Sequence, residues 1–296
     1  MVKRTLFFSS PCYLSAKNKQ VVVSFKDGRD EQTVPAEDVG YVVLENHSIT
    51  FSIKLIELLS EYNAAVIFCD SRHMPLSMLQ PFAGNSTYAE TVNKQVQASL
   101  PLKNKLWKRT VEIKIKNQAL LLEKLNKGRS NALQKIAGSV KSGDKDNREG
   151  VAAKIYWKTL FDGQSFKRER FGEYPNNMLN YGYAILRAAM ARALVGTGLS
   201  PLFGIYHHNK YNAFALVDDV MEPFRPFVDN VVVNIINQYD DEELTPEIKQ
   251  ELLRFLTMDT QMKNKTPLML ALTRTAASLA RSFTESKNIV EYPLLV

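Results

Sequence analysis

Over the first 80 or so residues the apolar positions come in short blocks of strand length. Thr5-Leu6-Phe7-Phe8, Gln20-Val21-Val22-Val23-Ser24-Phe25 and Gly40-Tyr41-Val42-Val43-Leu44 are β-branched and aromatic runs. Ser15-Ala16-Lys17-Asn18-Lys19 and Lys26-Asp27-Gly28-Arg29 offer turn chemistry between them. The period then changes. Within Ser52–Tyr62 the apolar residues stand at 53, 55, 56, 58 and 59, a helical spacing, and the continuous apolar run Ala64–Cys69 that follows reads as a buried strand. Pro, Gly, Asn and Ser cluster in Gln80-Pro81-Phe82-Ala83-Gly84-Asn85-Ser86, where the strand signals stop.

From Thr87 onward the pattern is helical. Pro101 suits the first turn of a helix whose Trp107, Val111, Ile115, Ala119 and Leu122 form one apolar stripe, with Lys105, Arg109, Glu112 and Lys116 on another. Tyr181–Val195 is apolar nearly all round, as in a helix buried within its domain, and Gly196 and Gly198 end it. Thr245-Pro246 and Thr266-Pro267 each place a capping hydroxyl before a proline, so each is expected to start a helix. The expected fold class is α+β: a small β-rich domain over residues 1–84, then a larger all-α domain over 85–296.

Composition sharpens this picture. The 296 residues exceed what one domain usually holds, and 45% hydrophobic residues with 13 Gly and 12 Pro exclude disordered, collagen-like and coiled-coil chains. Ala188–Val195 is broken by Arg192 and is too short to span a bilayer, so no membrane association is expected. Met1-Val2-Lys3-Arg4 leads into a short alternating segment with no small-residue cleavage site after it, so no secretory leader is expected. Cys12 and Cys69 are too few for a disulfide framework or a cysteine zinc site, which makes the cytoplasm the expected compartment.

The net charge of +7 is unevenly placed. Residues 103–170 hold 18 Lys/Arg and 7 Asp/Glu, a balance of +11, so the rest of the chain is net acidic. A basic segment on a near-neutral background is the footprint of a polyanion partner; the competing account is a solvated helix face.

His47 and His73 have no carboxylate motif around them and read as structural. His207 and His208 lie in Phe203-Gly204-Ile205-Tyr206-His207-His208-Asn209, upstream of Asp218-Asp219-Val220-Met221-Glu222-Pro223-Phe224-Arg225-Pro226. Asp219 and Glu222 share a face on any helical turn. An imidazole with one or two carboxylates suits Mg²⁺ or Mn²⁺ at a phosphodiester rather than structural zinc, although both acids could equally be favourable charges at a helix N-terminus. A further acid sits inside the basic segment. Asn147 can cap a helix that places Glu149 in its first turn, and Gly150 beside it suits close approach of another backbone.

Arg148-Glu149-Gly150-Val151-Ala152-Ala153-Lys154-Ile155-Tyr156-Trp157, Asn180-Tyr181-Gly182-Tyr183-Ala184, and the stretch from Gly204 through His207 to Arg225-Pro226 together resemble the CRISPR-associated spacer-acquisition integrase, CRISPR-associated protein one, in its type II form. The resemblance implies a divalent-metal-dependent DNA endonuclease and integrase that joins 3′-hydroxyl ends of captured fragments to repeat DNA by transesterification. Carried over residue by residue, it makes Glu149, His207 and Glu222 catalytic ligands of Mg²⁺ or Mn²⁺. Asp219 is an alternative third ligand, because many relatives end this motif in Asp, and His208 is an adjacent alternative to His207. Arg225 and the basic segment, with Arg148, Lys154, Arg168 and Arg170 nearest the motifs, would neutralise phosphates, and Tyr181 would orient a DNA end or pack in the core. The resemblance also implies a homodimer formed through the β domains, a partnership with CRISPR-associated protein two, and a role in antiviral defense alongside the type II effector nuclease and a small acquisition protein. The competing function is a non-catalytic architectural DNA-binding protein whose acids only cap helices.

Overall fold

The computed structural model describes residues 3–79, 85–162, 166–170, 172–239 and 241–296. The chain divides into two compact units, Met1–Gly84 and Asn85–Val296. The turn-rich signal over residues 80–84 lies outside the described residues.

The first unit is built from strands β1 (Arg4–Phe8), β2 (Cys12–Lys17), β3 (Gln20–Phe25), β4 (Gln32–Pro35), β5 (Val39–Leu44) and β6 (Thr50–Phe51), helix α1 (Ile53–Glu61), and strands β7 (Ala65–Cys69) and β8 (Pro75–Leu79). They form two sheets, ordered β1-β5-β7-β8 and β4-β3-β2-β6. The first is mixed, with β1, β5 and β7 parallel and β8 antiparallel at its edge. Cys12, Leu14, Val21, Val23, Val39, Val42, Leu55, Leu59 and Val66 are buried in one core cluster.

One strand departs from expectation. Ser15-Ala16-Lys17 reads as turn but continues β2, paired with β3 in the register Ser15↔Val22, Ala16↔Val21 and Lys17↔Gln20. The turn is confined to Asn18 and Lys19, both at positive φ (50° and 59°), the conformation a two-residue hairpin demands.

The second unit contains α2 (Tyr88–Val96), α3 (Leu100–Lys124), α4 (Ser130–Gly138), α5 (Arg148–Leu160), α6 (Asn176–Gly196), α7 (Ala215–Met221), α8 (Arg225–Gln238), α9 (Pro246–Leu252), a short antiparallel pair β9 (Asp259–Gln261) and β10 (Lys265–Pro267), α10 (Leu268–Thr284), and a last strand β11 (Leu294–Leu295) against β9. The fold class is therefore α+β, with the strands concentrated at the N-terminal end, but the second unit is not all-α as expected, because β9, β10 and β11 form a small three-stranded sheet within it. Among the described residues no helix is long and apolar enough to cross a membrane.

Helix α3 is the spine of this unit. The Ser99 hydroxyl accepts from Leu102 N, Pro101 occupies the first turn, and Trp107, Val111, Ile115, Ala119 and Leu122 are all buried. It touches α4, α5, α8, the turn at Glu222–Phe224 and β11. Asn117, fully buried on α3, ties two of these to it: its amide donates to Pro223 O (2.7 Å) in the turn and to Pro293 O (3.1 Å) just before β11, and its carbonyl accepts from Leu295 N (3.0 Å) in β11. Helices α6 and α8 approach closely at Gly182, where an added Cβ would stand 2.4 Å from Val228 Cγ1. Thr245 caps α9 as expected, accepting from Ile248 N. Thr266 does not cap α10; it lies in β10 and its hydroxyl donates to Asn264 O, because the β9–β10 ladder claims that segment first.

Candidate active site

Three chain segments deliver acidic and imidazole side chains to the interior turns of α3, around Trp107 and Lys114. At the first, Asn147 in the left-handed conformation (φ 48°) accepts from Gly150 N, and the carboxylate of Asp144 accepts from Arg148 N (2.8 Å) and Glu149 N (3.1 Å). The first-turn N–H groups of α5 are thus served by Asp144 and Asn147, which leaves the Glu149 carboxylate to reach across to α3. Gly150 is small for a different reason than expected: an added Cβ would lie 2.8 Å from the Asn147 cap itself, not from another backbone.

The second segment, the loop from 203 to 214, wraps around one buried carboxylate. Asp219 on α7 is 0% exposed, and its Oδ2 accepts from Ile205 N (2.6 Å) and Tyr206 N (2.8 Å), with His207 N at 3.4 Å. Its Oδ1 bonds the Nδ1 of His207. Gly204 permits this wrap, since a Cβ there would meet His207 O at 2.4 Å and Asp219 Oδ2 at 2.9 Å. Asp218 clamps the other end of the loop through Arg187 (2.6 and 2.9 Å) and Asn212 (2.7 Å). The Trp107 ring stacks on Tyr206 with centroids 4.4 Å apart, and packs edge-on to His207.

The third segment is the turn after α7. Its Glu222 Oε1 pairs with Arg225 (2.9 Å) and its Oε2 with Lys114 Nζ (2.6 Å). The same ammonium lies 2.6 Å from Glu149 Oε1. Lys114 on α3 therefore bridges two carboxylates from separate chain segments, the start of α5 and the turn after α7. Burial opposes the charge on Lys114, but Glu222 and Glu149 outweigh it and raise the ammonium above its usual value. Burial likewise opposes ionisation of Glu222, yet Arg225 and Lys114 hold its carboxyl below the usual range. The hydrogen bond to Asp219 raises the His207 imidazole, against partial burial and with help from the Glu222 and Glu149 charges.

The donor chemistry fits a hard divalent ion. Two carboxylates already converge on one cation, and a histidine holds its Nδ1 to a buried carboxylate, which orients the ring and leaves Nε2 as the nitrogen able to ligate. As they stand, no three His, Cys, Asp or Glu side chains among the described residues close around a common point. The ammonium of Lys114 lies between the two carboxylates instead.

Behind the site, the helices that carry it are locked together by Asp229 on α8. Tyr156 of α5 and Tyr183 of α6 both donate to its carboxylate, at 2.7 and 2.5 Å, while Arg225 and Arg168 lie over the Tyr183 ring. Burial pushes the Asp229 carboxyl up to about 6, against these two hydrogen bonds. A carboxyl raised on folding contributes stability that is full below its ordinary value and is lost as pH rises through about 6. Asp229→Asn keeps a neutral acceptor, so its stability relative to the unmodified protein is expected to shift in the variant's favour between pH 4 and pH 7, by up to about 3 kcal/mol. Chemical denaturation at both pH values reads this difference.

Glu149 and Glu222 thus meet at Lys114, while His207 is held by Asp219 and Trp107 in the neighbouring loop. Asp219 is not a candidate ligand in this arrangement, because both its oxygens are taken up inside the loop; it supports His207. Of the two roles open for Tyr181, the structure shows packing in the core: its ring is 0% exposed on α6, with Lys249 over it. Arg225 belongs to the site. Arg148 and Lys154 lie on α5, Lys154 exposed, and Arg148 neighbours Asp146 at 3.9 Å. Arg168 is half-buried, donating to Asn176 and Asn180, while Arg170 is exposed beside it. His208 is exposed on the loop. The sequence reading missed Lys114, Asp144 and Asn117. None of the three left a signal in the sequence; Lys114 stands between Ile113 and Ile115, whose burial only the fold shows.

Over residues 6–257 the chain matches the family described as CRISPR associated protein Cas1. It is 35% identical to a CRISPR-associated endonuclease Cas1 of Neisseria meningitidis over 258 residues, covering 86% of this chain and 84% of that protein. Identity to a Cas1 endonuclease of Pyrobaculum aerophilum is 28% over 290 residues, covering 92% and 96%. Among solved structures, the fold matches a casposase bound to integration product (TM-score 0.79, 20% identity, 98% of this chain and 92% of that one) and a CAS1 protein from Thermotoga maritima (TM-score 0.77, 17% identity, 97% and 99%).

Proposed function

The chain belongs to the Cas1 family of CRISPR-associated endonucleases, and from that premise we propose that it is a divalent-metal-dependent integrase of CRISPR adaptation, joining the 3′-hydroxyl ends of captured DNA fragments to repeat DNA. The observation that carries this reading is the convergence of Glu149 and Glu222 on one cation, next to a histidine whose Nδ1 is held by a buried carboxylate. Glu149, Glu222 and His207 Nε2 would hold Mg²⁺ or Mn²⁺. A divalent ion there supplies Lewis-acid polarisation of the phosphoryl oxygen and charge stabilisation on the attacking and leaving oxygens.

The chain's own residues do the rest. Arg225, pinned by Glu222 and stacked on Tyr183, presents a fixed guanidinium beside the reacting phosphate. The exposed cations of the basic segment, Lys154 and Arg170 among them, attract the flanking phosphates in a salt-dependent manner. In direct transesterification one phosphodiester bond breaks as another forms. The attacking 3′-hydroxyl loses its proton and the displaced 3′-oxygen of the repeat gains one, so no covalent enzyme intermediate is required.

A casposase of the same fold has been solved on its integration product, and another chain of this fold is part of a Cas6-RT-Cas1–Cas2 complex (TM-score 0.73, 96% of this chain and 35% of that one), which supports DNA and CRISPR-associated protein two as partners. Dimerisation through the β-rich unit, cooperation with a type II effector nuclease and a small acquisition protein, action in antiviral defense, and residence in the cytoplasm complete the proposal. Incubating the protein, with and without CRISPR-associated protein two, with a labelled short duplex and repeat DNA tests it. Joined product in Mn²⁺ or Mg²⁺ that disappears in EDTA is expected. Tight, salt-dependent binding with no product in any metal would instead favour the architectural role.

A further inference from the structure

Lys114 is a cation in the wrong chemical class for the site it occupies. Its ammonium is 2.6 Å from Glu149 and 2.6 Å from Glu222, and its side chain is only 12% exposed. Lysine is a compact point charge on a flexible four-carbon stem, and unlike arginine it can swing away without breaking a planar, two-pronged contact. Arg225 pairs with Glu222 alone, so without the Lys114 ammonium between them the two like-charged carboxylates would repel across a low-dielectric setting and move apart.

We propose that Lys114 is an internal placeholder for the metal: it holds Glu149 and Glu222 together in the metal-free protein, must be expelled when the ion binds, and thereby sets the metal affinity of the site. This inference rests on the metal-dependent reading above. It makes Lys114 a positioning residue that tunes metal loading, so the metal-free protein keeps its ligands gathered and inert.

The test measures Mn²⁺ affinity by electron paramagnetic resonance of the free ion at equilibrium, together with thermal midpoints in EDTA and in excess Mn²⁺. Lys114→Met removes the competing charge and keeps the length of the stem. It should bind Mn²⁺ at least about tenfold more tightly than the unmodified protein. It should also melt lower in EDTA, with a larger upward shift on adding Mn²⁺. Lys114→Arg should bind Mn²⁺ more weakly, because a two-pronged guanidinium grips the carboxylates harder, and it covers the case in which the methionine variant fails to fold. Unchanged affinity in either folded variant, or weaker binding by Lys114→Met, overturns the inference. Glu149→Gln separates this from failure of the underlying reading: if the unmodified protein and Glu149→Gln bind Mn²⁺ alike, the metal site itself is wrong and the placeholder falls with it.

Discussion

Glu149→Gln is expected to lower metal-dependent strand transfer roughly a thousand-fold, since losing the Lewis acid forfeits several kcal/mol of transition-state stabilisation at 1.36 kcal/mol per decade. DNA affinity should change little, because the phosphate-facing cations are untouched. Fold and stability should survive as well. The α5 N-terminus is capped by Asp144 and Asn147, not by the Glu149 side chain, and Glu222 still neutralises Lys114 through their 2.6 Å contact. A thermal midpoint within a few degrees of the unmodified protein is the control. Activity, DNA binding and melting together decide the assignment. Loss of binding in step with activity would place Glu149 in the structure of the DNA track, and retained activity would remove it from the metal site.

The reason Glu149 could be picked out from sequence is that its context is local. An Asn cap, a first-turn acid and a glycine lie within four residues, and the structure reproduces that local arrangement at the start of α5. The apolar stripe of α3 and the all-round burial of α6 were legible for the same reason: periodicity encodes which face is covered. What covers each face is a non-local matter. Nothing near Lys114 in the chain says that its ammonium meets carboxylates 35 and 108 positions away; in a segment with eighteen cations it looks like one more solvated lysine. Asp219 failed in the opposite sense. Its spacing from His207 suggested a ligand, but the glycine at 204 lets the loop close onto it, and three backbone N–H groups and the imidazole consume both oxygens. Residue type and spacing can nominate a carboxylate for a site. Only the closed loop shows whether its lone pairs point outward.

That closed loop makes Asp219 the residue whose loss should be most damaging after the ligands themselves. Asp219→Ala strips the acceptor from Ile205, Tyr206 and His207 N–H groups at once. At about 1–3 kcal/mol for each unpaired buried group, eased where the loop admits water, the expected loss is about 2–4 kcal/mol. For a chain of this size that lowers the melting temperature by roughly 5–12 °C. Activity should fall about 10–100-fold, which is what an outer carboxylate that orients a ligating histidine is worth even when the fold holds. Asp219→Asn separates the two effects. Its carbonyl can still accept from the backbone, recovering much of the stability, but its amide N–H₂ then faces His207 Nδ1. A donor there forces the imidazole proton onto Nε2, the nitrogen that must be bare to ligate. The asparagine variant should therefore melt well above the alanine variant and yet remain about as inactive, with weakened Mn²⁺ binding. An asparagine variant as active as the unmodified protein would show that the carboxylate serves the loop alone and does not set the histidine's tautomer.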